Sequence, residues 1–228
     1  MARNIWVISL GGSRIISEGE IDVGFIQKFK KIIFANKQDK FIVVTGGGST
    51  ARKYIKALKK LDKSTEAQSK EGIAITRMHA SFLSGILGKK SNLILPKTYK
   101  KIGNLLNKNK VVVCGALQYK KKNTSDGTAA GIAAHFKTHF INITNISGLY
   151  TSDPTKNKSA KFIKNISWKN FHKKASKIKY SAGQHFVLDQ SASKIILKKK
   201  IPTYIISNLN DLPKIFKGKS FSGTLIQG

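Results

Sequence analysis

Phe41-Ile-Val-Val-Thr-Gly-Gly-Gly-Ser-Thr-Ala-Arg-Lys-Tyr-Ile55 passes from an apolar run through three glycines into a segment of helical spacing. Phe41 to Val44 are β-formers with no polar alternation, the pattern of a strand buried on both faces, whereas Ala51, Tyr54, Ile55 and Leu58 recur at the interval of a helix. Gly46 to Gly48 therefore fall where a strand ends and a helix begins. Without Cβ atoms, backbone N–H groups there approach a ligand closely, and the helix N-terminus behind them favours negative charge, so an anionic oxygen is the natural occupant. Arg52, one turn into the helix, is placed to fork onto the same anion.

The pattern repeats. Ile5-Trp-Val-Ile-Ser-Leu10 leads into Gly11-Gly12-Ser13-Arg14, and Val111-Val-Val-Cys-Gly115 leads through a polar loop to Thr124-Ser-Asp-Gly-Thr128. Ligands of open α/β sheets sit outside the carboxyl ends of the strands, so three such turns are expected to converge on one polyphosphate. Gly46-Gly47-Gly48 lacks the dinucleotide spacing G-x-G-x-x-G, and the chain holds no G-x-x-x-x-G-K-[ST].

Forty-two Lys and Arg against 11 Asp and Glu give the 228 residues a formal net charge of +31. That balance suits a nucleic-acid partner. Yet Arg3, Arg14, Arg52 and Arg77 are the only arginines, and the lysines spread over nearly every expected helix and loop. Lysines on solvated faces are the preferred reading, with adhesion to polyanions non-specific. Cys114, the single cysteine, excludes an intramolecular disulfide framework and reads as core packing in a reducing compartment. Ile5 to Leu10 is too short for a signal-peptide core, and no long uncharged run would span a bilayer. A soluble cytoplasmic protein built on one continuous sheet, with no membrane partner, is expected.

Along the chain, Ile21 to Phe34 reads as a helix burying Ile26, Phe29, Ile32 and Ile33, and Leu61 to Lys70 as a surface loop. Ile73 to Leu87 reads as a helix with Ile75, Met78, Phe82 and Leu83 inward, Arg77 and His79 at the surface or an interface, and Gly88 as its C-cap. Asn92 to Leu95 and Lys110 to Cys114 read as strands. Asp126 stands at the mouth of the small-residue helix Gly127 to Ala134, a good N-terminal position and, at a phosphate site, an organiser of lysine or metal. Strands at His139 to Thr144, Pro202 to Ile206 and Thr224 to Ile226 alternate with helices at Ser167 to Ser176, Val187 to Lys199 and Asp211 to Phe216. This alternation implies a mostly parallel sheet with helices on both faces, an α/β/α sandwich.

The chain carries Gly11-Gly-Ser13, Gly46-Gly-Gly-Ser-Thr-Ala-Arg-Lys-Tyr-Ile55, Gly72-Ile-Ala-Ile-Thr-Arg77, Thr124-Ser-Asp126, Thr144-Asn145, Gly148-Leu-Tyr-Thr-Ser-Asp-Pro154, Ala182-Gly183 with Asp189, and Gly223-Thr224, of which the G-G-G-x-x-A-R-x-Y-I and G-x-Y-T-x-D-P strings are specific in combination. Over nearly its whole length the chain resembles the amino-acid-kinase superfamily and, within it, the archaeal type of uridylate kinase. The resemblance implies a three-layer α/β/α fold with an acceptor-binding part over roughly residues 1–140 and an ATP-binding part over roughly 141–228. It also implies transfer of the ATP γ-phosphoryl group to UMP with Mg²⁺, in a homo-oligomer that is commonly a hexamer.

Carried over by the same resemblance, Gly12, Ser13, Gly48 and Arg52 match positions around the ATP phosphates, and Thr144, Asn145, Tyr150 and Asp153 match the adenosine side. Gly47 and the loop Leu117 to Ser125, including Asn123, Thr124 and Ser125, match the UMP side. Asp126 matches the aspartate that orients the catalytic cations, and no residue is assigned as a direct metal ligand. Two positions depart. Ser9 stands where many relatives carry a first-strand lysine, which turns attention to Arg14 and Lys161, and Ser69 stands where an acidic residue meets the UMP ribose, with Glu66 and Glu71 nearby. These departures leave two alternatives: a kinase for another small phosphorylated acceptor, and a decayed nucleotide- or nucleic-acid-binding protein.

Overall fold

The computed structural model describes residues 4–17, 19–119, 124–152, 154, 157–177 and 188–228. The chain begins with β1 (Ile5–Leu10), the short helix α1 (Gly12–Ile15), a hairpin of β2 (Ile16–Ser17) and β3 (Glu20–Ile21), then α2 (Val23–Ala35), β4 (Lys40–Thr45) and α3 (Gly48–Lys60). There follow α4 (Thr65–Leu87), α5 (Tyr99–Lys108), β5 (Val111–Cys114), α6 (Ser125–His135) and β6 (His139–Ile143). A second hairpin, β7 (Leu149–Tyr150) with β8 (Phe162–Ile163), precedes β9 (Asn165–Ile166), α7 (Trp168–Ser176), α8 (Gln190–Lys199), β10 (Thr203–Ile206), α9 (Leu212–Phe216) and β11 (Thr224–Ile226).

Seven strands make one sheet in the order β5-β4-β1-β6-β10-β11-β9, and only the β10/β11 pair is antiparallel. Successive strand residues point to opposite faces, and both faces are apolar. Trp6, Ile8, Leu10, Phe41, Val43, Ile141 and Ile143 meet Phe29 and Ile33 of α2, Leu83 and Leu87 of α4, and Leu212 of α9. Val7, Ile42, Val44, Cys114 and Phe140 meet Ile102 of α5, Ala129 and Ala133 of α6, Phe171 of α7 and Ile196 of α8. The result is the expected α/β/α sandwich. Each fully buried large side chain, such as Phe29, contributes roughly 1.5–3 kcal/mol. Cys114 is buried in this core, and its burial pushes the thiol up to about 12, which suits packing rather than nucleophilic chemistry.

Three local expectations are corrected. Helix α4 starts at Thr65 rather than Ile73, because Ser64 accepts a hydrogen bond from the Ala67 N–H and Glu66 pairs with Lys70 at 2.7 Å. Its inward face is Ile75, Thr76, His79, Ala80, Leu83, Ser84 and Leu87, whereas Met78 and Phe82 are 49% and 39% exposed. Asn92 to Leu95 is not a strand. There the Asn92 carboxamide pairs with the free edge of β5, accepting from the Val113 N–H at 2.6 Å and donating to the Val113 carbonyl at 3.0 Å. A side chain does what a neighbouring backbone would have done.

Candidate active site

The carboxyl ends of the central strands are flush, since Leu10 is in register with Thr45 and with Ile143, and Ile143 with Ile206. The two glycine turns leave from this line and interlock. The Gly11 N–H donates to the Ile143 carbonyl at 3.1 Å, and the Gly46 N–H to that of Leu10 at 2.9 Å. A Cβ on Gly12 would lie 2.3 Å from the Gly48 nitrogen and 2.6 Å from the Gly46 oxygen; one on Gly48, whose φ is 58°, would lie 2.5 Å from the Gly12 carbonyl carbon. Backbone packs on backbone. No side chain fits between, and Gly12, Ser13, Gly47 and Gly48 are thereby brought together.

Among the described residues, capping distinguishes this place from every other long helix start. Asp22, Ser64, Thr98, Thr124, Ser167 and Asp189 each accept a first-turn N–H of their own helix. Helix α3 has Gly47 at its N-cap, with no side-chain cap and no acidic residue in its first turn. The positive end of a 13-residue helix is therefore left for an external anion. Arg52 stands half-buried in the second turn, and among the described residues its side chain has no hydrogen-bond or ion-pair partner.

Across the turn from β1, Ser9 Oγ donates to Asp126 Oδ1 at 2.8 Å. Asp126 lies in the first turn of α6, whose N-cap Thr124 accepts from the Gly127 N–H at 3.0 Å and donates its own hydroxyl to Asp189. Asp189 in turn caps α8, accepting from the Ala192 N–H at 2.9 Å. Two carboxylates thus face one another where two helix N-termini meet. Burial first, and the Asp189 charge second, push the Asp126 carboxyl up to about 7, against the Ser9 hydrogen bond that favours the charged form. Neither carboxylate is salt-bridged among the described residues, so the pair fits the role of steadying an arriving cation.

On the other flank, α4 holds the loop after β5. Thr45 Oγ1 donates to the Thr76 carbonyl at 2.7 Å, the Ala116 N–H donates to Thr76 Oγ1 at 3.0 Å, and Arg77 donates through Nε to Ala116 O at 3.1 Å and through Nη2 to Leu117 O. Arg77 is therefore an internal strut rather than a surface group. His79, expected at the surface or an interface, is 2% exposed with Nδ1 2.8 Å from the Gly46 oxygen.

Other expected residues contribute less. The Ser69 hydroxyl donates to Thr65 O within its own helix at 2.8 Å, and Glu66 is exposed and tied to Lys70. Thr144 continues β6 beside the first glycine turn, where its N–H donates to Ile206 O at 3.0 Å; Asn145 next to it is exposed. Tyr150 packs edge-on against Phe162 in the second hairpin, ring centroids 5.4 Å apart, and Ser125 is the first residue of α6. Arg14 is committed to the Phe25 ring at 4.3 Å, and Lys161 is exposed. Asp153, Lys120 to Asn123, Ala182 and Gly183 lie outside the described residues. Ser9, Thr76, Arg77, His79 and Asp189 had no site role assigned from the sequence. Only Asp189 carried a local signal, an acid three residues before Ala192 at the head of an apolar-periodic segment.

The chain is 35% identical over 223 residues to the uridylate kinase of Thermoplasma volcanium, covering 97% of this chain and 96% of that protein. It is 31% identical over 225 residues to the uridylate kinase of Thermococcus kodakarensis, covering 97% and 98%. The crystal structure of uridylate kinase from Archaeoglobus fulgidus superposes with a TM-score of 0.83 at 33% identity, covering 97% of this chain and 99% of that one. A UMP kinase from Bacillus anthracis shares the fold at 16% identity, with a TM-score of 0.82 and coverage of 100% and 97%. Residues 4–207 match the amino acid kinase family as a whole, and with interlocked glycine turns at its strand ends the chain belongs to that family.

Proposed function

We propose that the chain transfers the γ-phosphoryl group of ATP to UMP, giving ADP and UDP. The uncapped α3 N-terminus behind the interlocked glycine turns carries this reading, together with relatives of full length that are uridylate kinases. Phosphoryl transfer requires two polyanions held in line and the spreading charge neutralised, which calls for donors and cations rather than a covalent nucleophile. Backbone amides of Gly12, Ser13 and Gly48, with the Arg52 guanidinium, hold the ATP phosphates. Thr144, Asn145, Tyr150 and Asp153 serve the adenosine side. Gly47, Leu117, Asn123, Thr124, Ser125 and the position of Ser69 serve UMP. Asp126, backed by Asp189, would hold and orient the Mg²⁺ that accompanies the nucleotide, and that ion would supply neutralisation of phosphate charge.

Ser69 motivates a second reading, a related kinase for another small phosphorylated acceptor, because its hydroxyl proton is spent on Thr65 and the ribose contact of relatives is altered. The test is ADP formation from Mg²⁺-ATP with UMP, then CMP, dUMP and isopentenyl phosphate. UMP is expected to be used in preference to the others. Faster turnover of another acceptor would transfer the assignment to the second reading, and no turnover of any while ATP binds would remove the kinase reading.

Homo-oligomerisation, as a hexamer by the same resemblance, belongs to this proposal. Met78 and Phe82 on the outer face of α4, with Leu93 and Ile94 at 90% and 75% exposure after it, are the apolar surface we assign to contact between copies. Among the described residues no helix is long and apolar enough to cross a membrane.

A further inference from the structure

His79 is buried with half of its hydrogen-bonding capacity unused. Nδ1 lies 2.8 Å from the Gly46 carbonyl oxygen, and Nε2 is enclosed with no partner among the described residues. A carbonyl oxygen only accepts, so the proton sits on Nδ1. An enclosed ring nitrogen without a partner is destabilising, and an apolar side chain of similar size would avoid that penalty. The single bond to Gly46 is what the imidazole supplies at this position.

That bond acts on a run of three glycines. Gly46, Gly47 and Gly48 have no side chains to limit their dihedral angles, and Gly48 already sits at a φ of 58°. In a trans peptide the C=O and the following N–H point in opposite directions. Fixing the Gly46 oxygen toward α4 therefore fixes the Gly47 N–H away from it, and that N–H has no acceptor among the described residues.

We propose that His79 is a positioning residue for the reaction: its Nδ1–H locks the Gly46–Gly47 peptide so that the Gly47 N–H is presented as a donor to the phosphate of the acceptor nucleotide. This deepens the reading of Gly47 as an acceptor-side residue and rests on it. The role differs from a filler's. Asn at position 79 keeps a donor at the place of Nδ1 and drops the stranded nitrogen, Gln moves the donor one carbon outward, and Leu keeps the volume without a donor.

The test is steady-state kinetics of the full-length protein and of His79→Asn, His79→Gln and His79→Leu, with UMP and ATP varied in turn. His79→Asn is expected to stay within about threefold of the wild-type KM for UMP, while His79→Gln and His79→Leu raise it by about tenfold or more, one hydrogen bond's worth of binding. KM for ATP should change by less than about threefold in all three. An unchanged KM for UMP in His79→Leu, an equal loss in the Asn and Gln variants, or an equal rise for ATP would overturn the positioning role. If the Leu variant does not fold, the Asn and Gln pair decides alone, since both keep an amide. A wild-type protein that turns over no UMP would overturn the functional reading, and this assignment with it.

Discussion

Asp126 combines three environments that pull its titration in different directions. Burial and the facing Asp189 favour the neutral acid, and the Ser9 hydroxyl favours the carboxylate, with the net shift upward to about 7. An acid with a raised folded-state pKa binds its proton more tightly folded than unfolded. Between about pH 4 and about pH 7 the folded protein then holds the extra proton, so stability falls as the pH rises through that window. Asp126→Asn has no charge to lose. In thermal unfolding without nucleotide, wild type should therefore lose Tm relative to Asp126→Asn from about pH 4 to about pH 7; parallel curves would show that the carboxyl titrates normally. The same variant should lose more than about tenfold in turnover, because an amide steadies a cation poorly. Stability and activity pull apart at this residue, as expected of a site held ready for a charge that arrives with substrate.

Helix α4 is the element that holds both the Gly46 carbonyl and the loop after β5, and it was the least legible in the sequence. Its first turns are polar apart from Ala67, so no apolar repeat announces them; they form because Ser64 caps the helix and Glu66 reaches Lys70. Its middle is apolar on more than one side, and periodicity alone does not say which side is the core. Bonding decides: Thr76, His79 and Ser84 turn inward to meet Ala116, Gly46 and Asn92, and Met78 and Phe82 turn out. Those partners lie 40, 33 and 8 residues away along the chain, and no local pattern encodes the two longer pairings. The glycine turns and Asp126 were legible because backbone conformation and helix capping leave marks within a few residues. Arg77 tests the element. Arg77→Met keeps the aliphatic stem but removes the donors to Ala116 and Leu117, and should lower stability by about 2 kcal/mol. By freeing the loop after β5, it should also raise KM for UMP more than KM for ATP. An unchanged urea midpoint and unchanged KM values would reduce Arg77 to a spectator.

At the scale of the whole molecule, a formal charge of +31 and an exposed apolar surface make opposite demands. Like charges on every copy oppose self-association, and they attract polyanions wherever lysines are dense. Burying Met78, Phe82, Leu93 and Ile94 between copies favours assembly, and that contribution does not depend on charge. Salt separates the two effects. Screening shortens the reach of charge to about 8 Å at physiological ionic strength and to about 3 Å at 1 M, so repulsion between copies fades while apolar burial remains. Light scattering should show an oligomer whose mass holds or grows as salt is raised, whereas retention on duplex DNA should fall steeply and without sequence preference. Replacing Leu93 and Ile94 together with Gln leaves the net charge untouched and removes the two most exposed large apolar side chains among the described residues, so the variant should shift toward single-chain mass. An oligomer that dissociates in high salt and ignores the double replacement would place the interface among charged groups. DNA binding that persists in high salt would make the lysines a recognition surface rather than the solvated coat of an enzyme whose specificity lies at the strand ends.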